Sequence, residues 1–408
     1  MAFLTRKKTL IKYLIVLILI IFAITLTSKL TSSENQYNPV IQKHLKNAFG
    51  NSTPKEEILY ISRYQDAVNN MKYIMDKLGY EVYNLVPWYA PNKRPECFDN
   101  RACSTMFTAI CRKYKYIIVN DIVSDGYGYI NSACSSKIIF ELNNRYDVYI
   151  PQEEKEEFNV KFGTSLVNEK KDISIVLQNS YENYYACKKG IYIPYYYNIG
   201  TTGYYNELSY DIIQSVEKED IIAVVEETSQ DSLIAKVELL KRDVPVEIVP
   251  WKNCNPRTLA KYKAQLILPS HVTSRKIMEN FKHGIVMMIP SEAFFREMVR
   301  ETNQYSFDSP NIIKMDEGLE KYTDWYNDDM EDLFVFFNSW DDIRGLLHSV
   351  NFDKVRTKAK EFADKQELKV IEQWREIMSE KPSNKYIIHK KKPICKSNEG
   401  HFYNYSNN

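Results

Sequence analysis

Ala264 to Met298 reads AQLILPSHVTSRKIMENFKHGIVMMIPSEAFFREM. An apolar run, Leu266 to Leu268, ends at Pro269, and a polar turn follows, Ser270-His271-Val272-Thr273-Ser274. Ile277, Met278 and Phe281 then recur at helical spacing, stopped at His283-Gly284. A second apolar run, Ile285 to Ile289, leads through Pro290-Ser291 into Phe294, Phe295 and Met298, again three and four apart. The pattern predicts strand, turn, helix, strand, helix, one crossover of a parallel α/β sheet. Gly284 suits the left-handed position past a helix end, and Ser291 suits a helix cap. In open α/β sheets ligands sit outside the carboxyl ends of the strands, where helix N-termini offer free N–H groups to phosphate. Ser270, His271, Thr273, Ser274 and Arg275 belong at that edge.

The same alternation fills both sides of this stretch. Ile58–Ile61, Val82–Val86, Tyr116–Val119, Lys137–Leu142, Ile173–Leu177 and Ile191–Ile193 are strand candidates, with a helical stripe through Val68, Met71, Ile74 and Leu78. The first loop, Ser62-Arg63-Tyr64-Gln65, carries no glycine-rich dinucleotide fingerprint. Ile199–Gly203 looks like a hinge, and the alternation restarts at Ile221–Val225, Ser229–Lys241 and Val246–Val249. Weak strand signal at Ile312-Ile313 and an apolar Phe334–Phe337 follow, with Ser339 a candidate helix cap. The last helix spans Phe352–Met378, with Val355, Ala359, Phe362, Leu368, Ile371 and Trp374 on its apolar side. Polar clusters end several strands, among them Asn120-Asp121 and Asn143-Asn144-Arg145. Converging on one sheet edge, they would line a cleft.

Arg6, Lys7, Lys8 and Lys12 precede the uncharged run Tyr13 to Ser28, which extends as a span from 13 to 30 if Lys12 and Lys29 snorkel. A cleaved signal peptide is the competing reading; the long apolar core without a small-x-small cleavage site favours an uncleaved anchor. The positive flank keeps residues 1–12 cytoplasmic and sends the rest into a lumen, behind a polar stem at 31–55. Sequons at Asn51 and Asn404 fit that topology. Seven cysteines include no CxxC pair, so a zinc site is not indicated. Cys97 with Cys103, and Cys111 with Cys134, are possible disulfides in an oxidising lumen, and the odd count leaves at least one free thiol or an intermolecular bridge. Net charge is +1 in 408 residues, with no basic patch that would suit nucleic acid.

Glu279, the interval of five to Gly284, and the strand Ile285–Ile289 ending in Pro290-Ser291 resemble the nucleotide-sugar domain of GT-B glycosyltransferases, of the family-4- and family-1-like kind. ILPSHVTS, HGIVMMIPS, FNSWDDIRGLL and WREIM, in that order, with NNRYD and QNSYENYYAC upstream, are similar to a poorly characterised eukaryotic group of such proteins. The resemblance covers roughly residues 56 to 380. It implies two Rossmann-like domains in GT-B arrangement behind the transmembrane helix: an acceptor domain at 56–200, a nucleotide-sugar domain at 201–350, a C-terminal helix at 351–380 and a tail at 381–408.

It further implies a type II glycosyltransferase of the Golgi or ER membrane, moving a sugar from a nucleotide sugar to a glycan, protein or lipid acceptor. Glu279 matches the glutamate that hydrogen-bonds the nucleotide ribose. His271 stands where a second glutamate is expected: it is a candidate catalytic residue able to bond a sugar hydroxyl or a phosphate, and the replacement leaves the stereochemical course open. The usual Arg-Lys diphosphate clamp is absent after the first strand of the second domain. Arg275 and Lys276, with Ser270, Thr273 and Ser274, are the candidate donor ligands in its place. Asn120, Asn144 and Arg145 fall on the acceptor side, where Asp121 and Asp125 are candidate bases. Neither a cofactor nor a metal is implied. The alternative is a catalytically inactive GT-B-like module that binds glycan or protein.

Overall fold

The structure, a computed structural model, describes residues 56–87, 89, 101–168, 171–205, 210–226, 229–301, 307, 310–313, 318–379 and 386–389. The proposed anchor and stem, both sequons, Cys97 and Cys395 lie outside the described residues. Among the described residues no helix is long and apolar enough to cross a membrane.

The first sheet contains β1 (Glu56–Ile61), β2 (Val82–Leu85), β3 (Tyr114–Asn120), β4 (Lys137–Leu142), β5 (Ile173–Leu177) and β6 (Tyr195–Asn198). A late strand, Ile387–His389, adds antiparallel to the β6 edge. The order β2-β1-β3-β4-β5-β6 is parallel throughout. Strands covered on both faces must be apolar at every position, and β5 is buried along its whole length. Alternation still sorts the faces. Leu59 and Ile61 join Val119, Phe140, Phe158 and Phe162 on one side. Ile58 and Tyr60 join Val68, Met71 and Ile74 of α1 (Gln65–Leu78) on the other.

The second sheet holds β7 (Glu219–Glu226), β8 (Val246–Pro250), β9 (Tyr262–Leu266), β10 (Met287–Pro290) and β11 (Val335–Phe337). Its order is β8-β7-β9-β10-β11, again all parallel. The crossover read from Ala264–Met298 is present. Its helix (Arg275–Lys282) stops at Gly284, which has φ +67°, and Ser291 Oγ accepts the Phe294 N–H at 3.4 Å.

Several boundaries differ from expectation. The strand before the polar turn is Tyr262–Leu266; Ile267 and Leu268 lie beyond it, buried, with the Ile267 N–H still bonding the Met288 carbonyl of β10 at 2.9 Å. Ile191–Ile193 is irregular; pairing begins at Tyr195, where three consecutive tyrosines suit a pleated edge better than the run closed by Pro194. Ile312-Ile313 belongs to a helical turn (Pro310–Ile313), opened by a proline at its first position. Ser339 hydrogen-bonds the Asp342 carboxylate at 2.9 Å rather than capping a backbone N–H. Leu368 is 70% exposed.

Two connections fix the halves of this unit together. Thr202 is fully buried and its hydroxyl donates to Asn70 of α1 at 2.6 Å. One residue on, Gly203 (φ +71°) presses so close to the next half that a Cβ there would sit 2.3 Å from the Met278 carbonyl. The segment is therefore a tight joint and not a loose hinge. The second connection is a helix of 27 residues, Phe352–Met378, about 40 Å long at helical rise. Its start buries Phe352, Ala359 and Ala363 with the second sheet. Its end buries Val370, Trp374 and Ile377 with the first. The orphan carbonyls of its last turn are taken by Lys137, bonding Ile377 at 2.8 Å, and Tyr116, bonding Met378 at 2.6 Å.

Candidate active site between the sheet edges

In the first sheet the strand order reverses between β1 and β3, so the crevice opens at their carboxyl ends. Ser62, Asn120 and Glu141 form a connected set there. Ser62 donates to Asn120 at 3.0 Å, and Asn120 and Tyr60 both donate to one Glu141 oxygen, at 2.8 and 2.9 Å. Asp121 follows in the left-handed region, φ +66°. That conformation is costly for a residue with a side chain and is concentrated at functional sites. The turn is held by its own N–H bonding the Glu141 carbonyl at 2.8 Å. Burial raises the Asp121 pKa to about 6, against the lowering effects of the Arg275 charge and a hydrogen bond from Tyr64.

Asp125 is paired with a cation. Arg63 clamps it with two bonds of 2.8 Å, the strong bidentate geometry. Arg63 also donates to the Tyr89 carbonyl at 2.6 Å. Asn144 and Arg145 make local contacts: the Asn144 side chain accepts the Arg145 N–H at 2.9 Å, and the guanidinium lies 5.8 Å from the Tyr185 ring centre.

On the second sheet, the reversal falls between β7 and β9. Three of the predicted donor residues, Ser270, Thr273 and Ser274, line one cavity of about 290 Å³ with the catalytic candidate His271 and with Trp251 and Trp325. Trp251 is 57% exposed, while the Trp325 indole donates to the His271 carbonyl at 2.8 Å. Ser274 caps the helix that follows, accepting the Lys276 N–H at 3.2 Å. Thr273 donates to Asp324, whose pKa burial raises to about 6.

The remaining three predicted donor residues part company at the helix start. Lys276 turns inward, pairs with Glu279 and donates to the Cys254 carbonyl at 2.6 Å. Burial raises the Glu279 pKa, against the Lys276 charge. Arg275 turns the other way and crosses to the first half, 3.4 Å from Asp66. Burial opposes its charge, but Tyr60, Glu141, Asp66 and Asp121 outweigh that and hold its pKa high. Gln178, at the end of β5, makes a second crossing by donating to Thr273 at 3.1 Å. The carboxyl edges of the two sheets therefore face each other. The arrangement is that of two Rossmann-like sheets meeting at their carboxyl edges.

No family model matches the chain, and no curated protein matches it. Similar solved structures include the glycosyltransferase SnogD from Streptomyces nogalater, at 10% identity and a TM-score of 0.43. Another is the spinosyn forosaminyltransferase SpnP, at 9% and 0.40. Each match covers 80% of this chain and 100% of the other.

Arg63, Glu141, Asp324 and the two tryptophans were not legible as site residues. Asp324 and Trp325 sit in an acidic, aromatic stretch without periodicity, and Trp251 simply follows a strand; only folding brings them beside Ser270–Ser274. Disulfides join Cys111 to Cys134 and engage Cys103 and Cys187, while Cys254 stays a thiol.

Proposed function

We propose that the protein is a glycosyltransferase moving a sugar from a nucleotide sugar to an acceptor hydroxyl across this cleft. The observation that carries it is Asp121: a buried, strained carboxyl with a pKa near working pH, at one switch point and facing the N-terminus of the helix at the other. A base poised near neutrality suits removal of a hydroxyl proton. The acceptor oxygen attacks the anomeric carbon as Asp121 takes its proton, and the nucleotide diphosphate departs with the electron pair of the broken bond. The first-turn N–H groups and Arg275 stabilise that anion. The nucleotide lies along Ser270, His271, Thr273 and Ser274, with the exposed indole of Trp251 offering a stacking face, and Glu279 accepts from the ribose hydroxyls once released from Lys276.

The type II setting in the secretory pathway is part of the same proposal. The Cys111–Cys134 disulfide supports it, since such bonds persist in oxidising compartments, together with the apolar run at 13–30 and its positive flank.

Thermal denaturation of the full chain against UDP, GDP, dTDP, CMP and their sugars tests the reading. At a hundredfold its dissociation constant, the right nucleotide stabilises by about 2.7 kcal/mol, a shift of a few degrees. Glu279→Ala abolishes that shift. No shift with any nucleotide would discard the transferase.

A further inference from the structure

A second cavity, of about 190 Å³, lies on the other side of Ser274 from the first. Its walls come from the carboxyl ends of β5 and β6, the start of the Arg275–Lys282 helix, the segment 321–330 and the long C-terminal helix. Apart from Ser274, none of the residues assigned to the nucleotide lines it, and neither does Asp121. At its base is Asn179, 5% exposed. Its side-chain oxygen caps the helix Ser180–Lys188 by accepting the Tyr181 N–H at 3.0 Å. Its Nδ2 is buried without a partner. A buried donor left unmade is costly, so a group that accepts from it is expected.

The lining defines that group. Asn179 and Gln366 line it with amides, beside Asn198 and an Asn327 whose oxygen already accepts the Asp329 N–H at 3.0 Å, and Tyr322 and Phe362 add aromatic carbon. Lys321 and Lys369 are matched by Asp324 and Asp329, so the cavity has no net sign to select an ion. Paired amide donors and acceptors beside aromatic carbon match a ring bearing hydroxyls on its rim and C–H groups on its faces. The space has room for one such ring. Because Ser274 borders both cavities, the occupant lies beside the donor.

We propose that this cavity is a subsite for one neutral, uncharged pyranose of the acceptor glycan, held by Asn179 and by Gln366 of the C-terminal helix. The inference rests on the transferase reading for the word acceptor, but the binding itself can be measured without it.

The probe is a panel of methyl glycosides of glucose, galactose, mannose, xylose and N-acetylglucosamine. They are titrated by saturation-transfer NMR into the full chain, held in a detergent without a sugar headgroup. Asn179→Asp keeps the oxygen that caps the helix and removes the Nδ2 donor; Gln366→Ala alters the opposite wall, on a helix that Asn179 does not cap. Binding of at least one glycoside, weakened about tenfold or more by each variant while their melting temperatures hold, supports the subsite. Equal binding by wild type and both variants overturns it. So does absence of glycoside binding in a protein that binds and turns over a nucleotide sugar, an outcome that leaves the transferase intact. Glycoside binding with no nucleotide binding supports the subsite and removes the transferase.

Discussion

Asp121 concentrates the chemistry of the first half in one residue. Its backbone is left-handed, its side chain is buried, and its pKa moves from 3.8 to about 6. If it is the base, kcat/KM rises with pH through about 6 and levels above it, and Asp121→Asn removes transfer by about 10²–10⁴-fold. Asparagine tolerates the left-handed region, so the variant folds. Stability moves the opposite way. A carboxyl with a raised folded pKa is protonated in the native state before the unfolded one, so its burial is a burden above pH 6 that fades as pH falls towards 3.8. Asp121→Asn is therefore more stable than wild type by about 1–3 kcal/mol at pH 8 and equal to it near pH 3.5, measured by urea denaturation. Gain of activity with loss of stability is the pattern of a site residue.

At the scale of elements, the Arg275–Lys282 helix is where the two halves are brought into register. Its backbone receives Gly203, its first residue crosses to Asp66, and Lys282 pairs with Asp364 and Glu367 of the C-terminal helix. Glu367 in turn accepts from Tyr73 of α1 at 2.5 Å. Gly203→Ala meets both penalties, a left-handed backbone and a Cβ overlapping the Met278 carbonyl. It should lower unfolding free energy by about 2–4 kcal/mol. An effect under about half a kcal/mol would show that the joint yields, and that the two sheets are less firmly set than their contacts imply.

For the whole molecule, the cleft is coupled across its width. Arg275 belongs to the second half, yet its charge lowers the pKa of Asp121 in the first. Arg275→Ala should move the acid limb of the kcat/KM profile to higher pH and lower its plateau by about tenfold or more. An unmoved limb would mean that Asp121 does not feel the opposite edge during turnover. The long C-terminal helix sets the distance between those edges, with Trp374, 1% exposed, anchoring its far end in the first core. Trp374→Ala should cost about 3–5 kcal/mol, read by chemical denaturation.

Which parts were legible in the amino-acid order follows from the range of the forces involved. Apolar runs and helical stripes are local, so β1, β3, β4, β5, the Ala264–Met298 crossover and the 27-residue last helix could all be read from periodicity. Gly284 was legible for the same reason, because a left-handed stop depends on one residue and its neighbours. The run at Ile191–Ile193 misled, since apolarity alone does not say which of two adjacent segments finds a strand to pair with. Leu368 looked like part of an apolar side, but the helix changes partners along its length and leaves that position facing water. The site shows the same division. Ser270–Ser274 was recognisable because one turn holds all of it. Asp121 acquires its perturbed carboxyl only through burial beside Tyr64 and the charge of Arg275, more than a hundred residues away in the chain. Sequence determined the two parallel sheets and the residues at their edges; tertiary structure alone decided which edges face, and which of their charges meet.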